Sequence, residues 1–146
     1  MLDRMPRRIQ LRRRKGWRKP EGAVVVARPS KWGNPFVVRK SGREWELKEP
    51  RTGMHTICTG RDPLVRESVQ LFERHFIHGE LGRRTIREQL GGKDLCCWCR
   101  LCDKHSLFGR PWNEPCDDCS PCHADVLLRI ANEIPQQRPI PDGAEL

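Results

Sequence analysis

The residues able to do chemistry crowd into one stretch, Asp94 to Asn132. It holds every cysteine except Cys58, together with His105 and His123. Two ligand spacings compete inside it. Cys102-x-x-His105 followed by Cys116-x-x-Cys119 offers three thiolates and one imidazole. Cys99-x-x-Cys102 followed by the same Cys116-x-x-Cys119 offers four thiolates. Either set puts soft donors at two-residue gaps, the knuckle spacing that a structural zinc ion takes. Cys102, Cys116 and Cys119 are common to both, so the fourth ligand, His105 or Cys99, stays open on spacing alone. The loop between the knuckles, with Gly109-Arg-Pro-Trp112, is too polar to order itself by burial. Zinc binding would supply its folding energy.

Whichever set is used, Cys97, Cys122 and His123 are left over, and Cys99 joins them if His105 is the fourth ligand. Cys97 and Cys99 fall on one face of a strand, because strand side chains alternate. Cys122 opens a helix, where the dipole and free amides favour a thiolate. If strand tip and helix start are neighbours, Cys97, Cys99, Cys122 and His123 form a second metal site or a thiol and imidazole pair. In an enzyme Cys122 would be nucleophile or metal-bound thiolate, and His123 its acid/base partner. The bland alternative is ordinary packing around an anion-binding helix terminus. His78-Gly-Glu80 with Pro115-Cys-Asp-Asp-Cys119 also matches the short zinc-deaminase pattern, but a glycine-centred three-letter match at a helix end recurs by chance.

The elements that must position these groups follow from patterning. Arg8 to Arg12 alternates and predicts a half-buried strand. Ala23 to Ala27 is a continuous apolar, valine-rich run, which predicts a central strand covered on both faces. The loop after it, Arg28-Pro-Ser-Lys-Trp-Gly-Asn-Pro-Phe36, carries Arg28, Ser30, Trp32 and Asn34 to the carboxyl end of the sheet, where open α/β sheets bind ligands. Trp-Gly-Asn-Pro is also plain turn chemistry. Phe36-Val-Val, Glu44 to Leu47 and His55 to Cys58 read as short strands, the last two a hairpin. Cys58 reads as a small core residue. Asp62 and Pro63 predict a helix start, and apolar spacing carries that helix to His78, with Gly79 as its stop. A shorter helical piece covers Thr85 to Leu90. Ser120 with Pro121 predicts the cap of the last helix.

At 146 residues with a net charge of +9 the chain fits one domain. Residues 1–20 form a basic N-terminal segment, partly strand, in which Asp3 is the only acid among nine Lys/Arg. Such a segment attracts nucleic acid by counterion release, or is a solvated arm. Residues 8–134 make a single α/β domain with a zinc loop at 99–122, and residues 135–146 read as a disordered tail. No run of about 18 apolar residues offers a membrane span, and no signal-peptide pattern opens the chain. The expected location is cytoplasmic, where cysteines hold metal more often than disulfides.

Arg28-Pro-Ser-x-Trp-Gly-Asn-Pro-Phe, Leu95-x-Cys-Trp-Cys and Pro-Cys122-His-Ala-Asp-x-Leu-Leu together resemble the domain of unknown function 4326 family of small bacterial and phage proteins, over roughly Ile9 to Asn132. The resemblance implies a core of Arg28, Trp32, Asn34, Cys97, Cys99, Cys122 and His123. It also implies that many members join Cys-Trp-Cys to Pro-Cys-His by a short link. The extra Cys102 to Cys119 then favours a separate zinc clip with His105 as fourth ligand. The expectation is an α/β fold, a small mixed sheet with two to three helices and an inserted zinc-binding loop. The leading function is a zinc-stabilised protein binding nucleotide or nucleic acid. Arg28, Ser30, Trp32, Asn34 and His123 would contact the ligand. The rivals are a nucleotide- or nucleobase-processing enzyme and a phage-type adaptor that binds a host protein through Phe108 or Trp112.

Overall fold

In the computed structural model, residues 5–49, 53–77 and 79–133 are described. The tail at 135–146 and His78 lie outside them. Strand β1 (Arg7–Gln10) is followed by β2 (Val24–Val25), the meander β3 (Val37–Ser41), β4 (Glu44–Glu49) and β5 (Met54–Cys58), then α1 (Arg61–Leu71) and α2 (Gly79–Leu90). Strands β6 (Leu95–Cys97) and β7 (Arg110–Pro111) precede α3 (His123–Asn132). The fold is mixed α/β, with two sheets rather than the one expected. The first has the order β2-β6-β1-β7 and the second β3-β4-β5.

In the first sheet β2, β6 and β1 run parallel, with Val24 and Arg8 each beside Leu95. Strand β7 closes the other edge antiparallel to β1. Alternation along β1 and β6 divides the side chains. Ile9 and Cys96 join Ala23 and Trp17 in a small cluster on one face, while Leu95 and Cys97 enter the main core with α3 on the other. Cys96 is thus a core residue, its thiol pushed up to about 11 by burial. The Ala23 to Ala27 run is at the sheet edge rather than central. Val25 is exposed, and only Ala23, Val26 and Ala27 are buried. The run is short of partners on one side because the meander forms its own sheet instead of extending this one.

The meander pairs as the alternating runs demand, with Trp45 opposite Cys58 in the expected hairpin. Helix α1 packs across it, burying Leu64, Val65, Ser68 and Leu71. It starts at Arg61, capped by Gly60 rather than Asp62, and passes into a π-helical turn at Phe72–Phe76. Gly79 begins α2 instead of ending a helix, and α2 lies against α3. In α3 the cap is Cys122, whose sulfur accepts from the Ala124 amide at 3.4 Å, rather than Ser120. A thiol replaces the usual hydroxyl or carboxylate cap, which places Cys122 and His123 at the helix mouth.

The Trp-Gly-Asn-Pro loop is held by a buried polar knot. Asn34 Nδ2 donates to Ser68 Oγ at 2.9 Å, and Asn34 Oδ1 accepts from the Phe36 amide at 2.9 Å. The Ser68 hydroxyl donates to the Phe36 carbonyl at 2.5 Å. Gly33 is required where it stands, since a Cβ there would meet Arg28 Cγ at 2.9 Å. Removing Asn34 leaves a buried hydroxyl and amide short of partners, at about 1–3 kcal/mol per orphaned group. Asn34→Ala should therefore lower unfolding free energy in urea by about 2 kcal/mol or more. A loss under about 0.5 kcal/mol, the usual effect at an unimportant surface site, would contradict this.

Candidate metal centre and adjoining cavity

The loop that follows β6 turns back on itself through two knuckles. Gln10 Oε1 accepts from the Leu101 amide at 2.9 Å, anchoring the loop to β1. The Cys102 amide donates to Cys119 Sγ at 3.3 Å, and the His105 and Ser106 amides both return to the Cys102 carbonyl. Gly109, at φ +86°, passes so close to β1 that a Cβ would meet the Arg8 carbonyl at 2.8 Å. These turns bring Cys102, His105, Cys116 and Cys119 together, with their ligand atoms all within 4.8 Å of one another. Cys102 Sγ is 3.2 Å from His105 Nδ1 and 3.8 Å from Cys116 Sγ, and Cys119 Sγ is 3.5 Å from the same nitrogen.

This group could hold a metal ion. Its fourth member is His105, while Cys99 stands elsewhere, beside Cys97. The other ring nitrogen, His105 Nε2, contacts the Glu114 carboxylate. A carboxylate behind an imidazole fixes its tautomer and aims the free nitrogen at the metal. The thiols are partly primed. Burial opposes ionisation of Cys116, but the amides of Asp118 and Cys119, with the Cys119 and Cys102 side chains, outweigh it and bring its pKa down to about 7.

A second group lies where the carboxyl ends of β2 and β6 meet the mouth of α3. Cys97 Sγ, Cys122 Sγ and a His123 ring nitrogen are mutually within 4.8 Å, and all three residues are buried. His123 Nδ1 is 3.6 Å from Cys122 Sγ, and Nε2 is 2.7 Å from the Val26 carbonyl. Cys99 Sγ is 3.8 Å from Cys97 Sγ. Hydrogen bonds from Cys122 and Cys99 hold the Cys97 thiol far below its ordinary range. The same contacts, with burial, push Cys122 well above it. Burial also lowers His123, so its ring is neutral near pH 7.

Beneath both groups Arg8 is almost wholly buried, at 1 % exposure. It donates to Asp125 Oδ2 at 2.9 Å and to the Arg100 carbonyl at 3.2 Å, and Arg110 contacts the other oxygen of Asp125. Burial works against the Arg8 charge, but the neighbouring Cys122, Asp125 and Cys99 outweigh it and raise its pKa.

Above the second group opens a cavity of about 230 Å³. Arg28, Asn34, Arg61, Cys97, Trp98 and His123 are among its lining residues, and no carboxylate lines it among the described residues. Of the residues the sequence proposed for ligand contact, Arg28, Asn34 and His123 reach the cavity. Trp32 is packed in the core, and the buried Ser30 hydroxyl has no hydrogen-bond partner among the described residues. Cys122 lies under the wall without lining it. Cys116 and Cys119, half of the deaminase-like pattern, belong to the first metal group. Sequence reasoning missed Arg61, Ser68 and Val65 on the facing helix, the Glu114 carboxylate, and Arg8. Glu114 was legible as an acid beside a knuckle; Arg8 was hidden among the other arginines of a basic segment.

A family model described as Domain of unknown function (DUF4326) matches residues 9–133. No curated protein and no solved structure matches the chain.

The Cys116 assignment predicts a pH profile. A group whose pKa is lowered is ionised, and so nucleophilic, from lower pH. In metal-stripped, reduced protein, alkylation of Cys116 by iodoacetamide, followed by peptide mass spectrometry, should rise through a midpoint near pH 7, while Cys96 stays unmodified to about pH 10. A Cys116 midpoint near 9, or earlier labelling of Cys96, would contradict this.

Proposed function

We propose that this chain, which belongs to the domain of unknown function 4326 family over residues 9–133, is a zinc-stabilised protein that binds a nucleotide or the free end of a nucleic-acid strand at the cavity beside Cys97 and His123. The observation that carries the reading is convergence. Segments distant in sequence, Ala27 to Val38, Arg61 to Val69, Cys97 to Cys99 and Pro121 to His123, line one opening.

Its chemistry suits an anion with an aromatic part. Arg28 and Arg61 are exposed cations on the wall, with no lining carboxylate among the described residues to neutralise them there. The volume falls below the roughly 300–1,000 Å³ of sites that swallow a drug-sized ligand. A single base or phosphate group fits that scale, with the rest of the ligand outside. Trp98 stands half-exposed at the rim with Arg13 over its ring at 5.0 Å. An aromatic plate backed by arginine is a sequence-tolerant stacking platform for bases. The basic N-terminal segment would add salt-sensitive affinity. Zinc is the metal that best suits three thiolates and one carboxylate-backed imidazole in the loop.

One observation favours an enzymatic reading beside this one. Cys97, Cys99 and His123 all line the cavity, so Cys97 or Cys99, not the sealed Cys122, is the thiol that a substrate would meet. A protein-binding role would rest instead on the loop tip, where Leu107 and Phe108 are 76 % and 75 % exposed. Trp112 is half-buried against the core.

Calorimetric titration with adenosine and cytidine monophosphates and with a six-nucleotide DNA strand tests the binding reading. Binding should weaken as salt rises. Arg28→Ala and Arg61→Ala should each cost about tenfold or more, the equivalent of one charge-assisted hydrogen bond of about 1.5 kcal/mol. Absence of binding at millimolar nucleotide, or affinities unmoved by both substitutions, would sink the reading.

A further inference from the structure

The second cysteine and histidine group has the features of a metal site that is open to the cavity. We infer that Cys97, Cys122 and His123 hold a second zinc ion, distinct from the one in the knuckle loop, and that its fourth coordination position faces the cavity and takes an exogenous anion or water. This does not depend on the cavity ligand being a nucleotide.

Three observations carry it. First, spacing. Ligand atoms about 2.0–2.3 Å from a tetrahedral zinc are roughly 3.3–3.8 Å from one another. His123 Nδ1 and Cys122 Sγ are 3.6 Å apart, and all three ligand atoms lie within 4.8 Å of each other. Small side-chain adjustments would close the remaining gaps.

Second, the tautomer. His123 Nε2 sits 2.7 Å from the Val26 carbonyl, which can only accept, so Nε2 carries the proton. Nδ1 is left with a free lone pair directed to the sulfur side. Metal-bound histidines are held in this way, by donation of the other N–H to a carbonyl or carboxylate. The knuckle-loop His105 repeats the arrangement within the same chain, with Nδ1 beside the sulfurs and Nε2 against Glu114.

Third, the direction of the vacant corner. Cys97 and His123 line the cavity while Cys122 is sealed below it. An ion bound to all three lies in the cavity wall, with protein behind it and open space in front. Cys99 also lines the cavity, 3.8 Å from Cys97 and in hydrogen-bond contact with Cys122, but it is not among the atoms that are mutually within 4.8 Å, so the group itself offers three ligands. Three protein ligands plus one exchangeable position is the arrangement of reactive zinc, whereas four protein ligands close a structural site. Such an ion polarises whatever oxygen it binds and lowers the pKa of bound water from its bulk value toward about 7. Arg28 and Arg61 on the same wall would neutralise the remainder of an anionic ligand.

Metal analysis and cobalt spectroscopy on the intact chain test this. Protein purified under reducing conditions should contain two zinc ions per chain by elemental analysis. After replacement by Co²⁺, sodium azide should shift the visible d–d bands, because only an open site can accept it. Cys99→Ser should keep both ions and the azide response. His123→Ala should keep one ion and lose the response. Should that variant fail to fold, the wild-type stoichiometry and azide titration decide alone. One zinc per chain in wild type, two zincs with no azide response, or loss of an ion in Cys99→Ser would each overturn the inference.

Discussion

The carboxylate of Asp125 is the contact on which the rest of the molecule depends. Moving a guanidinium out of water costs several kcal/mol unless it is paired and hydrogen-bonded. Arg8 is buried by its place in β1, inside the sheet, and can stay there only because Asp125 and the Arg100 carbonyl receive it. Even so its Nε finds no partner among the described residues. Arg110 in β7 reaches the same carboxylate from the other side. One residue in the first turn of α3 therefore ties β1, β7 and the start of the cysteine loop to the helix that carries Cys122 and His123. Displacing it would strand two cations and release the helix mouth.

That tie connects the two cysteine and histidine groups. The knuckle loop has few apolar anchors. Leu101 is buried, but Leu107 and Phe108 point outward and the remaining residues are largely polar. A metal ion held by Cys102, His105, Cys116 and Cys119 would supply what burial does not. Arg110 lies between the knuckles and also reaches the Cys116 carbonyl at 3.5 Å. Order in the loop is thus passed through Arg110 to Asp125 and on to the floor of the cavity. The exposed side of that cavity is built independently by the Trp-Gly-Asn-Pro loop, locked to α1 through Ser68. The cavity stands where the cysteine loop meets a hydrogen-bonded unit.

Much of this was legible in the sequence. Knuckle spacing picked out Cys102, Cys116 and Cys119, and the inserted length relative to the resembled family pointed to His105 rather than Cys99; the fold brings these four together. Alternation located β1 and the β4–β5 hairpin. What was hidden has physical causes. A continuous apolar run such as Ala23 to Ala27 signals burial but not position, and the separate meander left it at an edge. Gly79 and Ser120 carry local signals for a helix stop and cap. Tertiary contacts overrode the first, and the Cys122 thiol replaced the second. Trp32 looked like a stacking plate because exposure cannot be read from residue type; it belongs to the core, and Trp98 takes the rim. Arg8 was invisible because its neighbours Arg7, Arg12 and Arg13 share its type and remain at or near the surface. Only the pairing of β1 between β6 and β7 singles it out.

The coupling through Asp125 is tested most directly by hydrogen exchange on the intact chain with and without a chelator, followed by peptide mass spectrometry. Metal removal should deprotect the loop amides from Leu101 to Gly109 and, together with them, the first turn of α3 around Asp125. The β3–β4–β5 meander should remain protected. Deprotection confined to the loop, with the start of α3 unchanged, would show that the knuckle metal and the cavity floor are independent and would contradict the account.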